Sequence, residues 1–561
     1  MKVMIKKVKM LAVLLGYGML LLGCGSINIV STPIENIDAV PLKVSALTEE
    51  EKQSWGHADL LTDTIPGMSV DRAYEELIGN KKGNKVIVAV LDSGIDLNHE
   101  DLDDVIWTNR DEKPGNGIDD DGNGYVDDVH GYNFLGEAYN EQLELTRILR
   151  LNLGDEALRA KAKKKLDEEL KEATETRQMI LSTKQQTEQI LDVVKKSHKA
   201  VSQKLGKENY TKGEVAAIST TDPSLQRSMN VVQQMFGYGE SIPQVIGLIE
   251  GDIERADEGL AYFNEKIDYH LNVDFNGRAA VGDDPYDITD TDYGNGNVSN
   301  RVEDESHGTH VAGIIAAERN NGLGANGVAN NVEIMSLRAV PNGDEYDKDI
   351  ALAIRYAVDN GAKIINGSFG KAFSPKAEWV YEAIKYAADN DVLIVHAAGN
   401  DGLDMDKPTN EGYPNDHKNS ESEYADNLIT VGAINDTYGS EMVASFSNYG
   451  SNNVDVFAPG GSVYSTIPGS EYKFEGGTSM AAPAVSGVAA LIRSYYPRLS
   501  AAEVKKILMD SGLSTKLEVV VAGDPGKARA FDKMSRSGKI VNAYNALIMA
   551  QKVSDSKSKL P

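Results

Sequence analysis

Short apolar runs that alternate with helical patterns constrain the fold of this chain more than any other feature of its sequence. The run 85–91 reads Lys-Val-Ile-Val-Ala-Val-Leu, which is typical of a strand buried on both faces of a sheet. Similar runs recur at 332–337, 363–366, 392–397, 428–431 and 454–458. Helical patterns occupy 349–360, 376–390 and 482–496. This alternation predicts an α/β fold with a mostly parallel central sheet.

One segment interrupts the alternation. No Gly or Pro occurs from 155 to 205, and a single helix over that length would run about 75 Å. Its apolar residues fall into two neighbouring heptad columns: Leu166, Ala173, Ile180, Val194 and Val201, then Leu170, Leu191 and Leu205. A second helical pattern runs from 241 to about 271. We therefore expect an α-helical hairpin insertion at 140–270, which is either a regulatory, chaperone-like or partner-binding arm or a solvated helix pair packed only on itself.

Charge and cysteine content narrow the classes of function. The 561 residues carry 57 Lys+Arg against 85 Asp+Glu, a net charge of -28, so we expect no nucleic-acid partner, because a phosphate backbone would be repelled. A hydrophobic content of 41% is ordinary for a soluble globular protein and argues against wholesale disorder or several membrane spans. The single Cys excludes an intramolecular disulfide and a thiolate metal cage.

The N-terminal region resembles the signal of a bacterial lipoprotein. A basic stretch at 1–9 precedes an apolar run at 10–22, and Leu21-Leu22-Gly23-Cys24 is similar to a lipobox. The resemblance implies cleavage before Cys24, which then carries acyl chains such as palmitate. The alternatives are an ordinary signal peptide with a coincidental cysteine, or a buried free thiol. The prediction is an exported, membrane-anchored lipoprotein facing the periplasm or the cell exterior, with a signal peptide at 1–23 and a lipid-anchored tether at 24–55.

Three short segments at element boundaries carry residues for nucleophilic catalysis. Asp92 ends the first buried strand, His307 is the second residue of Ser-His-Gly-Thr-His-Val-Ala-Gly at 306–313, and Ser479 lies in Gly-Gly-Thr-Ser-Met-Ala-Ala-Pro at 476–483. A serine hydroxyl needs a neighbouring base, which a neutral His supplies near pH 7, and a buried carboxylate fixes the tautomer of that His. His307 and His310 could suggest a metal pair, but no third ligand with metalloprotease spacing accompanies them.

With these motifs in the chain order Asp…His…Ser, the sequence resembles the subtilisin-like serine peptidases, or subtilases. The resemblance implies a three-layer catalytic domain at 56–139 and 271–550, followed by a tail at 551–561. It implies that an Asp92–His307–Ser479 triad cleaves peptides or proteins through an acyl-enzyme, with Asn400 as oxyanion donor. His310 is assigned to structural packing. The rival interpretation is a catalytically silent binding or scaffolding lipoprotein with the same fold.

The same resemblance implies where a peptide would bind. Ser368, Phe369 and Gly370 are similar to the segment that lines the primary specificity pocket, and 343–346 is similar to the edge strand that receives substrate by β-augmentation. We expect that Asp344, Glu345 and Asp401 favour basic or non-acidic peptides; the alternative is that these acids form a solvated rim. Because 25–55 is short for the usual inhibitory pro-domain, either folding needs none or the insertion takes over part of that role.

An acidic loop at 119–128 suggests a structural Ca²⁺ site. Oxygen side chains alternate around glycines as in the first part of an EF-hand loop, although position twelve is His130 and not Glu. The predicted ligands are Asp119, Asp121, Asn123, the Tyr125 carbonyl and Asp127. The alternative is a solvated acidic turn. A second acidic loop at 283–292 has less specific spacing.

Overall fold

A computed structural model of the chain describes residues 36–39, 43, 45–302, 305–417 and 423–558. The predicted signal peptide and Cys24 lie outside the described residues. The strands are β1 Val86–Asp92, β2 Gly131–Asn133, β3 Val332–Arg338, β4 Ile364–Gly367, β5 Leu393–Ala397, β6 Leu428–Ile434, β7 Val456–Pro459, β8 Val463–Ile467, β9 Glu471–Glu475, β10 Leu513–Ser514, β11 Glu518–Val521, β12 Asp524–Ala530 and β13 Lys539–Ile540. The α-helices are α1 Glu49–Ser54, α2 Val70–Arg72, α3 Glu144–Arg150, α4 Glu156–Leu205, α5 Lys212–Ala216, α6 Pro223–Met235, α7 Ile242–Glu265, α8 His307–Ala316, α9 Asp347–Asp359, α10 Ala377–Asp389, α11 Thr478–Tyr495, α12 Ala501–Ser511 and α13 Ala543–Lys557.

The central sheet of the described chain has nine strands, in the order β10-β13-β7-β6-β5-β4-β1-β3-β2. Every neighbouring pair runs parallel except β10 and β13. The six strands predicted from the apolar runs become β1, β3, β4, β5, β6 and β7, and the predicted mostly parallel sheet is confirmed. Two separate hairpins, β8–β9 and β11–β12, complete the β-structure of the described residues.

Alternating side chains of β1 show why the domain has three layers. Val88 and Val90 are buried in a core that contains residues of α8, α11, α12 and α13. Ala89 and Leu91, on the opposite face, are buried with residues of α9 and α10. Because neighbouring residues of a strand point to opposite faces, a continuous apolar strand needs helices on both sides. The predicted three-layer architecture is therefore confirmed.

The insertion, called the helical arm below (residues 140–270), is more than the predicted hairpin. Asp155 caps the first turn of α4 through its side chain, and Gly206 ends the helix in the left-handed conformation (φ 71°). Contacts such as Lys195 with Glu250 and Lys184 with Asp257 show that α4 and α7 run antiparallel. At the far end α5 and α6 add a small helical head with its own apolar core around Val201. The hairpin prediction did not include these two helices, which are 5 and 13 residues long.

The described part of the predicted tether lies against the catalytic domain. Ile37 is fully buried and Trp55 is nearly so, both in a core shared with β10, β11 and β13. Asp38 accepts hydrogen bonds from Thr515 and Tyr438. This part of 24–55 is therefore not a free tether. It is packed against the domain, because its apolar residues are buried at one end of the sheet. None of the helices among the described residues is both long enough and apolar enough to cross a membrane.

Candidate active site

The residues singled out for catalysis lie at the carboxyl edge of the parallel sheet. Asp92 is the last residue of β1, Ser368 follows β4 directly, and Asn400 comes three residues after β5. His307 and Ser479 stand in the first turns of α8 and α11, the two helices packed in the core on one face. Loops at this edge are where open α/β sheets bind their ligands.

Asp92 and His307 form the best-defined polar pair of the site. The Asp92 Oδ1 atom lies 2.7 Å from His307 Nδ1, and Asp92 is buried whereas the His307 side chain is 37% exposed. Burial lowers the pKa of His307, but the Asp92 carboxylate outweighs burial, with a smaller contribution from Glu475, so the net pKa is raised. An imidazole held at Nδ1 by a buried carboxylate presents Nε2 to its surroundings as a proton acceptor.

Ser479 is held by a reciprocal pair of hydrogen bonds with Ser368. Pro483 lies inside α11 and has no N–H, so it leaves the carbonyl of Ser479, four residues earlier, without its helical donor. The Ser368 Oγ atom donates to that carbonyl at 2.8 Å. In return, Ser479 Oγ donates to the carbonyl of Ser368 at 3.2 Å. The Ser479 hydroxyl therefore points to the wall of the site in this state and must rotate to reach His307.

Asn400 is oriented by its neighbour in α11. The Asn400 Oδ1 atom accepts hydrogen bonds of 2.9 Å from both the backbone N–H and the hydroxyl of Thr478. This orientation leaves Asn400 Nδ2 free to donate. A Cβ placed on Gly477 would lie 3.5 Å from Asn400 Nδ2 and 3.6 Å from the Ser479 nitrogen, so the two donors border one small space. Two converging N–H groups can stabilise a negatively charged oxygen.

Two walls flank this space, 343–345 after β3 and 368–371 after β4. Phe369 is half-buried, and its carbonyl accepts a 2.8 Å hydrogen bond from Nε2 of the buried His396. Burial lowers the pKa of His396 to about 4, so it is neutral and structural near pH 7. Within the described residues, the backbone groups of Gly343 and Gly370 make no hydrogen bond, which leaves them available to an extended chain.

The acids expected to line the substrate do not all face outward. Glu345 is only 2% exposed, and burial raises the pKa of its carboxyl to about 7. Asp344 Oδ2 accepts a 2.7 Å hydrogen bond from the backbone of Glu144, so its side chain is turned towards the arm. Asp401 is exposed. The expectation that all three acids face a peptide is thus corrected to Asp401, because Asp344 is turned towards the arm and Glu345 is buried.

Glu475 is a charged residue that the sequence reasoning missed. It ends β9 four residues before Ser479, is half-buried, and accepts a 3.4 Å hydrogen bond from Ser306, the residue before His307. His310 lies on the same side, but it is buried and its Nε2 bonds to the carbonyl of Lys473, in keeping with a packing role. The only signal for Glu475 was its place before the Gly476-Gly477 turn, and that does not reveal its contact with Ser306, which is 169 residues away in the chain.

The acidic loop gathers a different set of oxygens from the predicted one. Single carboxylate oxygens of Glu112, Asp119 and Asp121 lie within 4.8 Å of one another. Glu112 is 6% exposed, and its Oε2 atom has no hydrogen-bond partner among the described residues. Asp127 instead accepts hydrogen bonds from the backbone of Asn116 and Gly117.

The remaining predicted ligands make hydrogen bonds to other residues or have no contact with this carboxylate cluster. Asn123 Oδ1 accepts from the backbone N–H of Tyr125, and Asn123 Nδ2 donates to Asp121 and Asp128. Asp119 has three backbone donors, from Gly122, Asn123 and Gly124, in addition to its place in the cluster. An unpartnered buried carboxylate oxygen beside two further carboxylates fits a hard cation such as Ca²⁺.

The sequence is similar to those of several known proteins. The sequence matches the model of the subtilase family over residues 83–531. It is 39% identical over 246 residues to a thermophilic serine proteinase of Bacillus sp. (strain AK1), a match that covers 43% of this chain and 54% of that protein. It is 36% identical over 270 residues to subtilisin DY of Bacillus licheniformis, covering 48% of this chain and 90% of the relative. A solved structure of proteases from Pseudoalteromonas arctica PAMC 21717 is matched over 46% of this chain and 80% of its own, at 30% identity and a TM-score of 0.36. The chain spans about half the length of the thermophilic proteinase.

Proposed function

This chain belongs to the subtilase family, whose model spans residues 83–531, and from that premise we propose that it is a serine endopeptidase acting through Asp92, His307 and Ser479. The observation that carries the proposal is the 2.7 Å hydrogen bond between buried Asp92 and His307 Nδ1, at the sheet edge where Ser479 begins a helix. A carboxylate in this position fixes the tautomer that leaves Nε2 as base and stabilises the imidazolium that forms.

In the proposed reaction, Ser479 Oγ leaves the carbonyl of Ser368 and attacks the carbonyl carbon of the scissile peptide bond. His307 Nε2 takes the hydroxyl proton, and the developing oxyanion receives hydrogen bonds from Asn400 Nδ2 and the Ser479 N–H. His307 then protonates the departing amine, which leaves an acyl-enzyme. A water molecule, deprotonated by the same His307, hydrolyses the ester and restores Ser479.

We propose that the peptide binds as an extended chain between the walls 343–345 and 368–371. The unpaired backbone groups of Gly343 and Gly370 support this arrangement, because strand addition needs free donors and acceptors on the receiving edge. The half-buried Phe369 lines the primary pocket. Exposed Asp401 and half-buried Glu475 favour basic over acidic residues near the scissile bond. Cleavage of a peptide library that prefers acidic residues at these positions would contradict this preference.

For the acidic loop we propose a Ca²⁺ ion held by Glu112, Asp119 and Asp121. The ion would neutralise the three carboxylates and link Glu112 to the loop segment 119–121. This link would protect an exposed loop against opening and self-digestion. It has no part in the chemical step. Of the ligands expected from the sequence, Asp119 and Asp121 are retained, and Glu112 is added because its Oε2 atom is buried without a partner.

We also propose that Cys24 carries the lipid that holds the protein at a membrane, on the outer side of the cell or in the periplasm. The support is the sequence Leu21-Leu22-Gly23-Cys24 after a basic and apolar leader. The Cys24→Ser variant should appear in the soluble exported fraction and take up no labelled palmitate. Unchanged membrane association of that variant would contradict the anchor.

Cleavage of an unfolded protein by the purified chain tests the proposed activity. Wild type should convert casein to peptides, whereas Ser479→Ala, His307→Gln and Asp92→Asn, each folded as judged by circular dichroism, should lose activity by at least about 10³-fold. The rival is a silent scaffold, and the bond from Ser479 Oγ to Ser368 instead of His307 is the observation that favours it. Equal activity of wild type and Ser479→Ala would support that rival.

A further inference from the structure

The helical arm begins as a short extended segment that forms a single parallel bridge, between Asn140 and Asn342, next to the substrate wall 343–345. The Asn342 N–H donates to the carbonyl of Tyr139 at 2.9 Å, and the carbonyl of Asn342 accepts from Glu141 at 2.8 Å. A Cβ on Gly343 would lie 2.3 Å from the Glu141 carbonyl, so the two segments are in close contact. The chain then turns into α3, whose first residue, Glu144, donates its backbone N–H to Asp344.

Arg147, one turn into α3, holds the next two residues of that wall. Its side chain is fully buried. One guanidinium nitrogen, Nη1, donates to the carbonyl of Asp344 at 2.7 Å, and Nη2 donates to the carbonyl of Glu345 at 2.9 Å. The guanidinium also lies 3.8 Å above the ring of Tyr346 and pairs with Glu144. The planar fork of an arginine can hold two neighbouring carbonyls in one fixed geometry, which a lysine cannot do.

The opposite wall enters the same network through Lys371. Its Nζ atom donates to the Glu345 carbonyl at 2.8 Å, lies 2.8 Å from Asp347, and lies 3.3 Å from the Glu144 carboxylate that Arg147 also contacts. Phe373, two residues on, is buried in the apolar core at the base of α4. The base of the arm therefore touches both walls between which a peptide would lie. Buried charges persist only when they are paired, so the network has one favourable arrangement.

We propose that Arg147 is a positioning residue for substrate binding, through which the helical arm fixes the wall 343–345 that receives the peptide on the acyl side of the scissile bond. This inference rests on the proposed peptidase function. Arg147 touches neither the triad nor the oxyanion donors, so it acts on binding of an extended chain and not on the chemical step. The binding of substrates that are too short to reach the wall does not depend on Arg147.

Two substrates with the same residue before the scissile bond separate these effects: a tetrapeptide p-nitroanilide that spans the wall and a single-residue ester that does not. Active sites are counted with a fluorophosphonate, so a misfolded fraction does not enter the rates. For Arg147→Lys we expect the KM of the tetrapeptide to rise about tenfold with kcat within twofold, and both constants of the ester to stay unchanged. Arg150→Met is the matched control, since Arg150 lies in the same helix and, among the residues that the structure describes, bonds only to Gln142; it should change the constants of neither substrate.

Because a buried arginine could be needed for folding, Glu144→Gln provides a second variant. It keeps the shape of the side chain but removes the charge that Arg147 and Lys371 share, and we expect the tetrapeptide KM to rise about threefold with the ester unchanged. An unchanged tetrapeptide KM in either folded variant, or equal losses on both substrates, overturns the proposal. Turnover of the ester by wild type decides the peptidase function independently of this outcome.

Discussion

Ser368 and Ser479 exchange two hydrogen bonds, each hydroxyl donating to the other residue's carbonyl, at 2.8 and 3.2 Å. The exchange is possible because Pro483 leaves the Ser479 carbonyl without a helical donor. One wall of the substrate site is thereby tied to the first turn of α11, which carries the nucleophile. A shift of either element disturbs both the pocket and the reactive hydroxyl.

Removal of the Ser368 hydroxyl should destabilise this link. In a Ser479→Ala background, which prevents self-digestion, Ser368→Ala should lower the free energy of unfolding by about 1–3 kcal/mol, because a buried carbonyl loses its donor. Denaturant unfolding measures the change. Ser556→Ala is the control, since within the described part of the chain the exposed Ser556 hydroxyl bonds only inside α13, and it should change stability by less than about 0.5 kcal/mol. Equal effects of the two substitutions would count against the link.

Loss of the Asn400 amide should reduce turnover and leave binding almost intact. Asn400→Leu keeps the branched shape of the side chain but removes Nδ2, and we expect kcat to fall by about 10²–10³ with little change in KM, because the donor acts on the oxyanion and not on the bound peptide. Thr478→Val keeps Nδ2 and removes one of the bonds that orient Asn400, so its loss in kcat should be much smaller. A kcat within threefold of wild type for Asn400→Leu would show that the oxyanion is stabilised elsewhere.

The negative charge of Glu475 should be visible in the pH profile. His307 has to be neutral to act as base, so kcat/KM rises with pH through its pKa, which Asp92 and Glu475 raise. Glu475→Gln removes one of these charges, so the acidic limb of the profile should move to lower pH. Glu471→Gln changes an exposed acid at the start of β9 and should leave the limb in place. A limb that stays fixed in Glu475→Gln, or moves upward, contradicts the placement of Glu475.

Calcium titration followed by calorimetry should distinguish the two ligand sets. Glu112→Gln should weaken Ca²⁺ binding at least about tenfold, since it removes a carboxylate oxygen that lies buried without a protein partner. Asp127→Asn, whose carboxylate is occupied by backbone N–H groups, should bind Ca²⁺ within about threefold of wild type. The opposite order of affinities would support the ligand set expected from the sequence. The absence of any heat of binding in wild type would contradict a Ca²⁺ site in this loop.

Much of the fold could be predicted because buried parallel strands leave an unmistakable pattern. The six apolar runs correspond to six central strands, with ends that differ by at most three residues, and the family assignment made from the three motifs is confirmed. The short strands β10 and β13 have two residues each, which is too few for any period to show. In the helical head of the arm, α5 was missed for the same reason, since it has only 5 residues.

The parts of the site that could not be predicted depend on contacts between distant segments. Asp344 and Glu345 looked like rim acids because nothing in their own stretch reveals that Glu144 and Arg147, about 200 residues earlier, bond to the Asp344 carboxylate and to the Glu345 carbonyl. Glu112 lies outside the alternating run at 119–128, so local spacing could not include it. Asp92, His307, Ser479 and Asn400, in contrast, each lie in a motif whose local geometry is fixed by a strand end or a helix start, and the structure brings all four to one edge of the sheet.

Covalent trapping of the nucleophile tests the central claim most directly. A fluorophosphonate should react with the folded protein at one residue, identified by mass spectrometry of its peptides as Ser479, and the rate should fall by several orders of magnitude in His307→Gln, because an unassisted hydroxyl is a weak nucleophile. Labelling should be absent from Ser479→Ala. A wild-type protein that takes up no label, or a Ser479→Ala protein that is labelled as fast as wild type, would contradict the assignment of this chain as a serine endopeptidase.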